Sequence, residues 1–263
     1  MTDFGTRDHY VAAMKGVILQ INPKVTIVDI SHEIGSQDLL HGAFVLRQAL
    51  PYFPPDTIFA AVVDPTVGSG RRILAARYSG RIVLAPDNGL VTLLHRDAEL
   101  QEIRVVENRR FFASTLSTTF HGRDIFAPVA AHLSRGVAMD HLGPVANQIE
   151  ILELPKPQRN TDGAIEGQVI VVDHFGNLIS NITAIDLSAA RLPRGHCTVS
   201  VGTRAIGPVR TTYADVAAGQ PLALIGSAQM LEIAVNQGSA AAVLNARRGD
   251  PVRVCSPPLI VHE

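Results

Sequence analysis

The chain has 263 residues, 46% of them hydrophobic and 18% charged, which excludes a disordered polymer and allows one large domain or two modest ones. Lysine and arginine number 23 against 24 aspartates and glutamates, so no overall charge argues for nucleic acid or an anionic membrane. No apolar run reaches membrane-spanning length and the N-terminus lacks the regions of a signal peptide, so a cytoplasmic location is expected.

Taken in order, Asp3-Phe4-Gly5-Thr6-Arg7-Asp8 leads into a predicted helix running to about Leu19, with Thr6 or Asp8 as cap. Asn22-Pro23 stops it. Val25 to Ile30 reads as a strand, 31–37 as a loop, and Asp38 opens a second helix that Pro51 ends. Thr57 to Val63 is short, apolar and β-branched, the pattern of a buried strand, and it ends abruptly in Asp64-Pro65. Ile73 to Tyr78 and Arg81 to Leu84 read as strands joined by Ser79-Gly80. Pro86-Asp87-Asn88-Gly89 is a turn before a short helix, Leu90 to His95. A strand at Leu100 to Val106 follows, then a helix opened by His121-Gly122-Arg123-Asp124. Strands alternating with helices predict an α/β domain with a mostly parallel sheet over 1–153.

Composition changes at 154–163, a polar run containing Pro155 and Pro157 that reads as a linker. Beyond it, over 164–263, short strands lie among glycine turns: Ala164 to Asp173, Leu178 to Thr183, Cys197 to Val201 and Val252 to Cys255. They predict a small all-β, barrel-like C-terminal domain. The two cysteines, Cys197 and Cys255, lie far apart without a C-x-x-C pattern and read as reduced and structural.

Polar clusters in apolar surroundings are the candidates for chemistry. In the first domain they are Asp3 to Asp8, Asp64 to Arg72, and His121 to Asp124; a carboxylate ending a buried strand lies where α/β folds place ligands. In the second they are Asp173 to Asn177 and the run from Gly226 to Ala234. Each has a bland reading: Asp3 and Asp8 as helix caps, Arg71 and Arg72 as solvated charges, His121 as a cap, Phe175 as core, Asn177 as a turn residue. None of the ten histidines forms an H-x-x-x-H or H-E-x-x-H pair, which argues against a metal-dependent hydrolase.

Taken together, Thr2-Asp3-Phe4-Gly5-x-x-Asp8-x-Tyr10-Val11, Asp64-Pro65-x-Val67-Gly68, Pro86-Asp87-Asn88-Gly89-Leu90, Phe120-His121-Gly122-Arg123-Asp124, Asp173-x-Phe175-Gly176-Asn177 and Gly226-Ser227 through Gly238-Ser239-Ala240 resemble the S-adenosyl-L-methionine hydroxide adenosyltransferases, relatives of the fluorinase and chlorinase. Each motif is weak alone, but six in order are specific. The resemblance implies an α/β domain followed by a β-barrel, a homotrimer with sites between subunits, and no cofactor or metal. It also implies the reaction: water attacks the 5′ carbon of S-adenosylmethionine and methionine leaves, giving adenosine. The matching catalytic positions are Asp64, Arg71 and His121, with either Asp64 or His121 taking the proton and Arg71 holding the forming hydroxide. Asp3 would accept from the ribose hydroxyls; Asp8, Asp173 and Ser227 would bind the methionine end. Phe175 and Asn177 would contact adenine, Tyr213 would add an aromatic face, and Glu232 would be either near the amino end or on a solvated face.

The chain departs from the family pattern twice. Relatives place a full apolar strand ahead of Thr2, so a shortened first strand, or a start inside the reading frame, is expected here. Gln37 stands where relatives often carry an aromatic residue. Two other readings compete: a halogenase on the same scaffold, and an S-adenosylmethionine or nucleoside sensor without turnover. A halide site disfavours an adjacent carboxylate such as Asp64, and a pure binder has no need of Asp64, Arg71 and His121 together.

Overall fold

A computed structural model of the chain describes residues 1–192, 195 and 197–256, so the end of the expected second domain, 257–263, lies outside the described residues. The chain divides into two compact units, Met1–Leu152 and Glu153–Glu263. In the first, α1 (Tyr10–Ile21) and α2 (Leu39–Ala49) precede a four-stranded sheet of β1 (Ile58–Ala60), β2 (Ile73–Tyr78), β3 (Arg81–Pro86) and β4 (Leu100–Val105). The helix α3 (Thr92–Asp97) lies between β3 and β4, and α4 (Ala127–Ser134) closes the layer. Asp38 caps α2 by accepting from the His41 amide at 3.0 Å, whereas α1 begins after His9 with no side-chain cap.

The sheet runs β1-β3-β2-β4, and it is mixed, not mostly parallel. Only β1 pairs in parallel, with β3; β2 pairs antiparallel with both β3 and β4. The reason is local: β2 and β3 are joined through Ser79-Gly80, and so short a turn can connect only antiparallel strands. Val25 to Ile30, expected as a strand, enters no ladder. Beside it, Met1 and Thr2 make the rungs that a longer strand would make: Thr2 bridges Val62 in parallel, the Val62 amide donates to Met1 O at 2.9 Å, and the Thr2 amide donates to Ser31 O at 3.1 Å. The Met1 ammonium is consequently buried, and burial drops its pKa from 8.0 to about 6.

Two apolar clusters flank the sheet. One joins Phe111, Phe120, Phe126 and Leu142 with Val62 and Leu84; the other joins Leu46, Phe59 and Tyr78 with Val63 and Leu90. Val62 and Val63 face opposite clusters, as the period-2 alternation of a strand requires.

The second unit is mostly β but not all β. Its strands are β5 (Gln158–Arg159), β6 (Ile165–Val172), β7 (Leu178–Thr183), β8 (Thr198–Val201), β9 (Arg204–Gly207), β10 (Val209–Arg210), β11 (Pro221–Ile225), β12 (Met230–Val235) and β13 (Pro251–Cys255). Two short helices interrupt them: α5 (Ala184–Ala189), capped by a Thr183–Asp186 box, and α6 (Ala240–Leu244), capped by Ser239. The strand order β10-β11-β12-β7-β6-β13-β8-β9 brings β9 back beside β11, so the sheet curls toward a barrel. Within 154–163, Gln158–Arg159 pairs with β6. Leu178, Ile182, Leu231 and Val252 fill the interior.

Candidate active site

β1 ends at Ala60, short of the predicted Val63; the buried residues Ala61, Val62 and Val63 continue its line, the Ala61 amide donating to Leu84 O at 2.9 Å and Val62 bridging Thr2, and they deliver Asp64. A turn follows at once, with the Val67 amide returning to Asp64 O at 3.2 Å. Gly68 holds φ +81, and a Cβ there would stand 2.5 Å from Thr118 O, so only glycine lets this turn pack against the loop before His121. The turn brings Arg71 back onto Asp64. Behind it, Asn88 donates to Val63 O at 3.0 Å, so the Pro86–Gly89 turn clamps the strand end.

Arg71 Nε lies 2.9 and 2.7 Å from the two oxygens of Asp64, and Arg71 Nη2 also donates to Asp64 Oδ2. The same Nη2 is 3.0 Å from His121 Nδ1. The side chains of Arg71 and Asp64 are only 7% and 4% exposed, where charge-assisted pairs are strong and geometry is held. Guanidinium is donor-only, so His121 Nδ1 must accept and the neutral ring carries its proton on Nε2. Burial lowers the His121 pKa below 6.5, with Arg71 adding to the effect and Asp64 and Asp124 opposing it, so the imidazole is neutral at pH 7. Arg72, the neighbouring candidate, turns away and pairs with Asp87 and Gln148 O; it anchors the Pro86–Gly89 turn.

Asp64 and His121 line a cleft of about 230 Å3 with Asp3, Phe4, Ser36, Gln37, Val62, Val67, Thr119 and Gly122. Arg71 stands behind this wall and bridges its two polar members. Asp3 is oriented by a neighbour on the cleft wall: the Gln37 amide donates to Asp3 Oδ2 at 2.8 Å, with Gln37 at φ 61. Its neighbours are pinned too. Thr2 Oγ1 lies 2.9 Å from His32 Nδ1, and the Gly5 amide donates to His32 O at 2.8 Å. Asp8 is exposed and lies outside the cleft wall.

The candidates of the second unit form a separate cluster. Asp173 Oδ1 accepts from the amides of Phe175 and Asn177, both at 2.9 Å, and Oδ2 accepts from Asn177 Nδ2 at 3.0 Å. This carboxylate therefore fixes its own turn and leaves Phe175 projecting, 74% exposed. Tyr213 donates to Glu232 Oε1 at 2.7 Å. Burial, then Glu232 and Asp173, push the Tyr213 phenol up to about 12. Burial also raises the Glu232 carboxyl; the Tyr213 bond opposes the rise and nearby Asp173 adds to it. Glu232 Oε2 would be 2.4 Å from a Cβ at Gly226, which explains a glycine before exposed Ser227. Glu232 is thus a buried member of the cluster, not part of a solvated face.

The structure brings Asp64, Arg71, His121 and Asp3 together, and gathers Asp173, Asn177, Tyr213 and Glu232 in the second unit. Reading the sequence did not find Ser36, Thr119 or the Gln37 amide, because small polar residues in loops carry no periodic or motif signal. Among the described residues no group of three or more histidine, cysteine, aspartate or glutamate side chains is placed to hold a metal ion, and no helix is long and apolar enough to cross a membrane.

A carboxylate–guanidinium–imidazole set thus stands at one small cleft, and comparison with known proteins gives the class of protein to which the chain belongs. Residues 1–143 match the SAM hydroxide adenosyltransferase N-terminal domain and residues 167–253 the C-terminal domain. The chain belongs to the S-adenosyl-L-methionine hydroxide adenosyltransferase family. It is 40% identical to the (R)-S-adenosyl-L-methionine hydrolase of Thermus thermophilus, over 97% of each chain, and 38% identical to that of Salinispora tropica, over 96% of this chain and 95% of the relative. A fluorinase from an Actinoplanes species is more distant, at 31% over 97% of this chain and 95% of the relative. Among solved structures, an uncharacterised conserved protein from Thermotoga maritima superposes with TM-score 0.90 at 38% identity, covering 97% of this chain and 98% of that one.

Proposed function

We propose that the protein hydrolyses S-adenosyl-L-methionine to adenosine and L-methionine. The observation that carries this reading is the Arg71 bridge, which fixes Asp64 and neutral His121 side by side on the cleft wall. Several relatives that match nearly the whole chain bear the name of this hydrolase.

The reaction asks little of the leaving group. Displacing a sulfonium releases a neutral thioether, so neither acid nor metal is needed there. Water is the weak partner and has to be oriented and relieved of a proton. His121 presents Nε2–H to the attacking oxygen, because its Nδ1 lone pair is taken by Arg71. Asp64 then receives the water proton while the new C–O bond forms at the 5′ carbon and the C–S bond breaks. Arg71 balances the charge of Asp64 and keeps both groups in register. Asp3, its carboxylate aimed by the Gln37 amide, takes the ribose diol. In the second unit, Asp173, Glu232 and Ser227 suit the ammonium and carboxylate of methionine, and Asn177, Phe175 and Tyr213 suit adenine. Asp8 also belongs to the methionine-binding set in this reading. A homotrimer completed across subunits, no cofactor or metal, and a cytoplasmic setting are parts of the same proposal.

A carboxylate at Asp64 is the specific argument against halogenation: a halide beside it would be repelled in a site closed by Phe4, Val62 and Val67. The test is chromatography after incubation with S-adenosylmethionine and chelator, with and without chloride or fluoride. Adenosine and methionine in both arms are expected. A 5′-halo-adenosine would replace this reading with the halogenase, and bound but unconverted ligand would replace it with a sensor.

A further inference from the structure

His121 is followed by a turn of π-helix, Gly122–Phe126, before α4 begins. Such turns are uncommon and cluster at functional sites. Within it lies Asp124, only 2% exposed, and neither the water-activating set nor the substrate contacts use it. Two of its bonds lead to the loop ahead of His121. Asp124 Oδ2 accepts from the Ser117 amide at 2.7 Å, and the Asp124 carbonyl accepts from the Ala113 amide at 2.8 Å. One residue thereby ties down both ends of the stretch from Ala113 to Ser117. Beyond Ser117, its hydroxyl accepts from the Thr119 amide at 3.2 Å, Thr118 O presses on Gly68, and Thr119 lines the cleft beside His121.

We propose that Asp124 is a positioning residue: its buried carboxylate sets the wall formed by Ser117–Thr119, and its charge acts on His121, the residue that opens the same π-helical turn. This rests on the hydrolase reading for its kinetic part and on the hydrogen bonds alone for its structural part. The groups facing His121 are Arg71, Asp64 and Asp124. The first lowers its proton affinity; the two carboxylates raise it, and Asp64 is itself neutralised by Arg71. Asp124 shares its charge with Arg123, which is bonded at 2.6 and 3.1 Å and also stacked over Phe120 at 5.0 Å. Burial works to raise the Asp124 carboxyl, but Arg123 and the Ser117 amide outweigh it and hold the group below the usual carboxylate range. It is ionised at neutral pH.

Two substitutions separate the two roles. Asp124→Asn keeps an oxygen for the Ser117 amide and removes the charge. Its amide exchange at Ser117 and Thr119 stays near the parent's, kcat/KM at pH 8 stays within about threefold, and the acid limb of the kcat/KM profile moves to lower pH. Asp124→Ala removes the acceptor as well. Exchange at Ser117 and Thr119 then speeds up, and KM rises as the wall loosens, with kcat/KM down roughly tenfold to a hundredfold. An acid limb that stays in place in Asp124→Asn overturns the electrostatic role. Unchanged exchange and KM in folded Asp124→Ala overturn the positioning role. Should the parent protein turn out not to hydrolyse S-adenosylmethionine, the exchange measurement still decides whether Asp124 holds the wall.

Discussion

The two polar clusters of this protein are built on opposite electrostatic plans. In the first unit, Asp64 is matched by Arg71 and the adjoining His121 is neutral, so the set is balanced before any ligand arrives. In the second unit, Asp173 and Glu232 lie near enough for Asp173 to raise the Glu232 carboxyl, and among the described residues neither is bonded to an arginine or lysine. Their donors are backbone amides, an amide side chain and a phenol. A balanced set is suited to shaping a reaction; an acid-rich one gains most when a cation binds, because the ligand relieves the repulsion. One cluster is balanced within the fold, and the other is left acid-rich.

The largest test of that contrast is to break the balanced set. Asp64→Ala or His121→Ala should cut kcat by about 10²–10⁴ while S-adenosylmethionine still binds, read by adenosine release and calorimetry. Full activity in both would remove water activation from these residues. Arg71→Met should be at least as damaging, since it leaves Asp64 buried with no counter-charge. Next, Glu232→Gln should raise KM roughly tenfold with kcat within a few-fold, because it weakens capture of a cationic end without touching the reacting atoms. A fall in kcat at constant KM would mean that the two clusters do not divide the work in this way.

The pH dependence sharpens the comparison further. The His121 pKa is held below 6.5, so activity should be level at neutral pH and fall only as pH drops through that lowered value. The protonated ring would then turn an N–H toward Arg71 and lose their hydrogen bond. Among these effects the smallest is on stability. The Met1 ammonium has its pKa lowered from 8.0 to about 6, chiefly by burial, with Asp29 opposing and Lys15 adding. A group harder to protonate in the folded state favours folding as pH rises. Between pH 6 and 8 the unfolded chain binds more protons, so Tm should climb by roughly 5 °C and then level off. Burial depresses His32 as well, which works in the same direction below pH 6.5. A flat Tm over that range would show that Met1 is not buried in solution.

How much of this was legible beforehand differed by feature. A buried strand ahead of Asp64 (although β1 itself stops at Ala60), the Asp-Asn-Gly turn, the Asp38 cap and the β-rich second half follow from periodicity and turn chemistry, which are local. The pairing of Asp64 with Arg71 was implied by the family resemblance, since the turn by itself left both arginines readable as solvated charges. The sheet's direction was misjudged because strand–helix alternation was given more weight than the Ser79-Gly80 turn, which forces an antiparallel pair. Val25 to Ile30 has the composition of a strand but no ladder, since pairing belongs to two segments and not to one.

By itself, then, the amino-acid sequence determined which residue types stand at the ends of which segments, and through its ordered motifs the family to which the chain belongs. Tertiary structure alone decided that the Gln37 amide aims Asp3, that Glu232 is buried against Tyr213, and that Asp124 reaches back to Ser117. These are contacts of direction and distance between segments, and a hydrogen bond's dependence on a few tenths of an ångström leaves no trace in residue order.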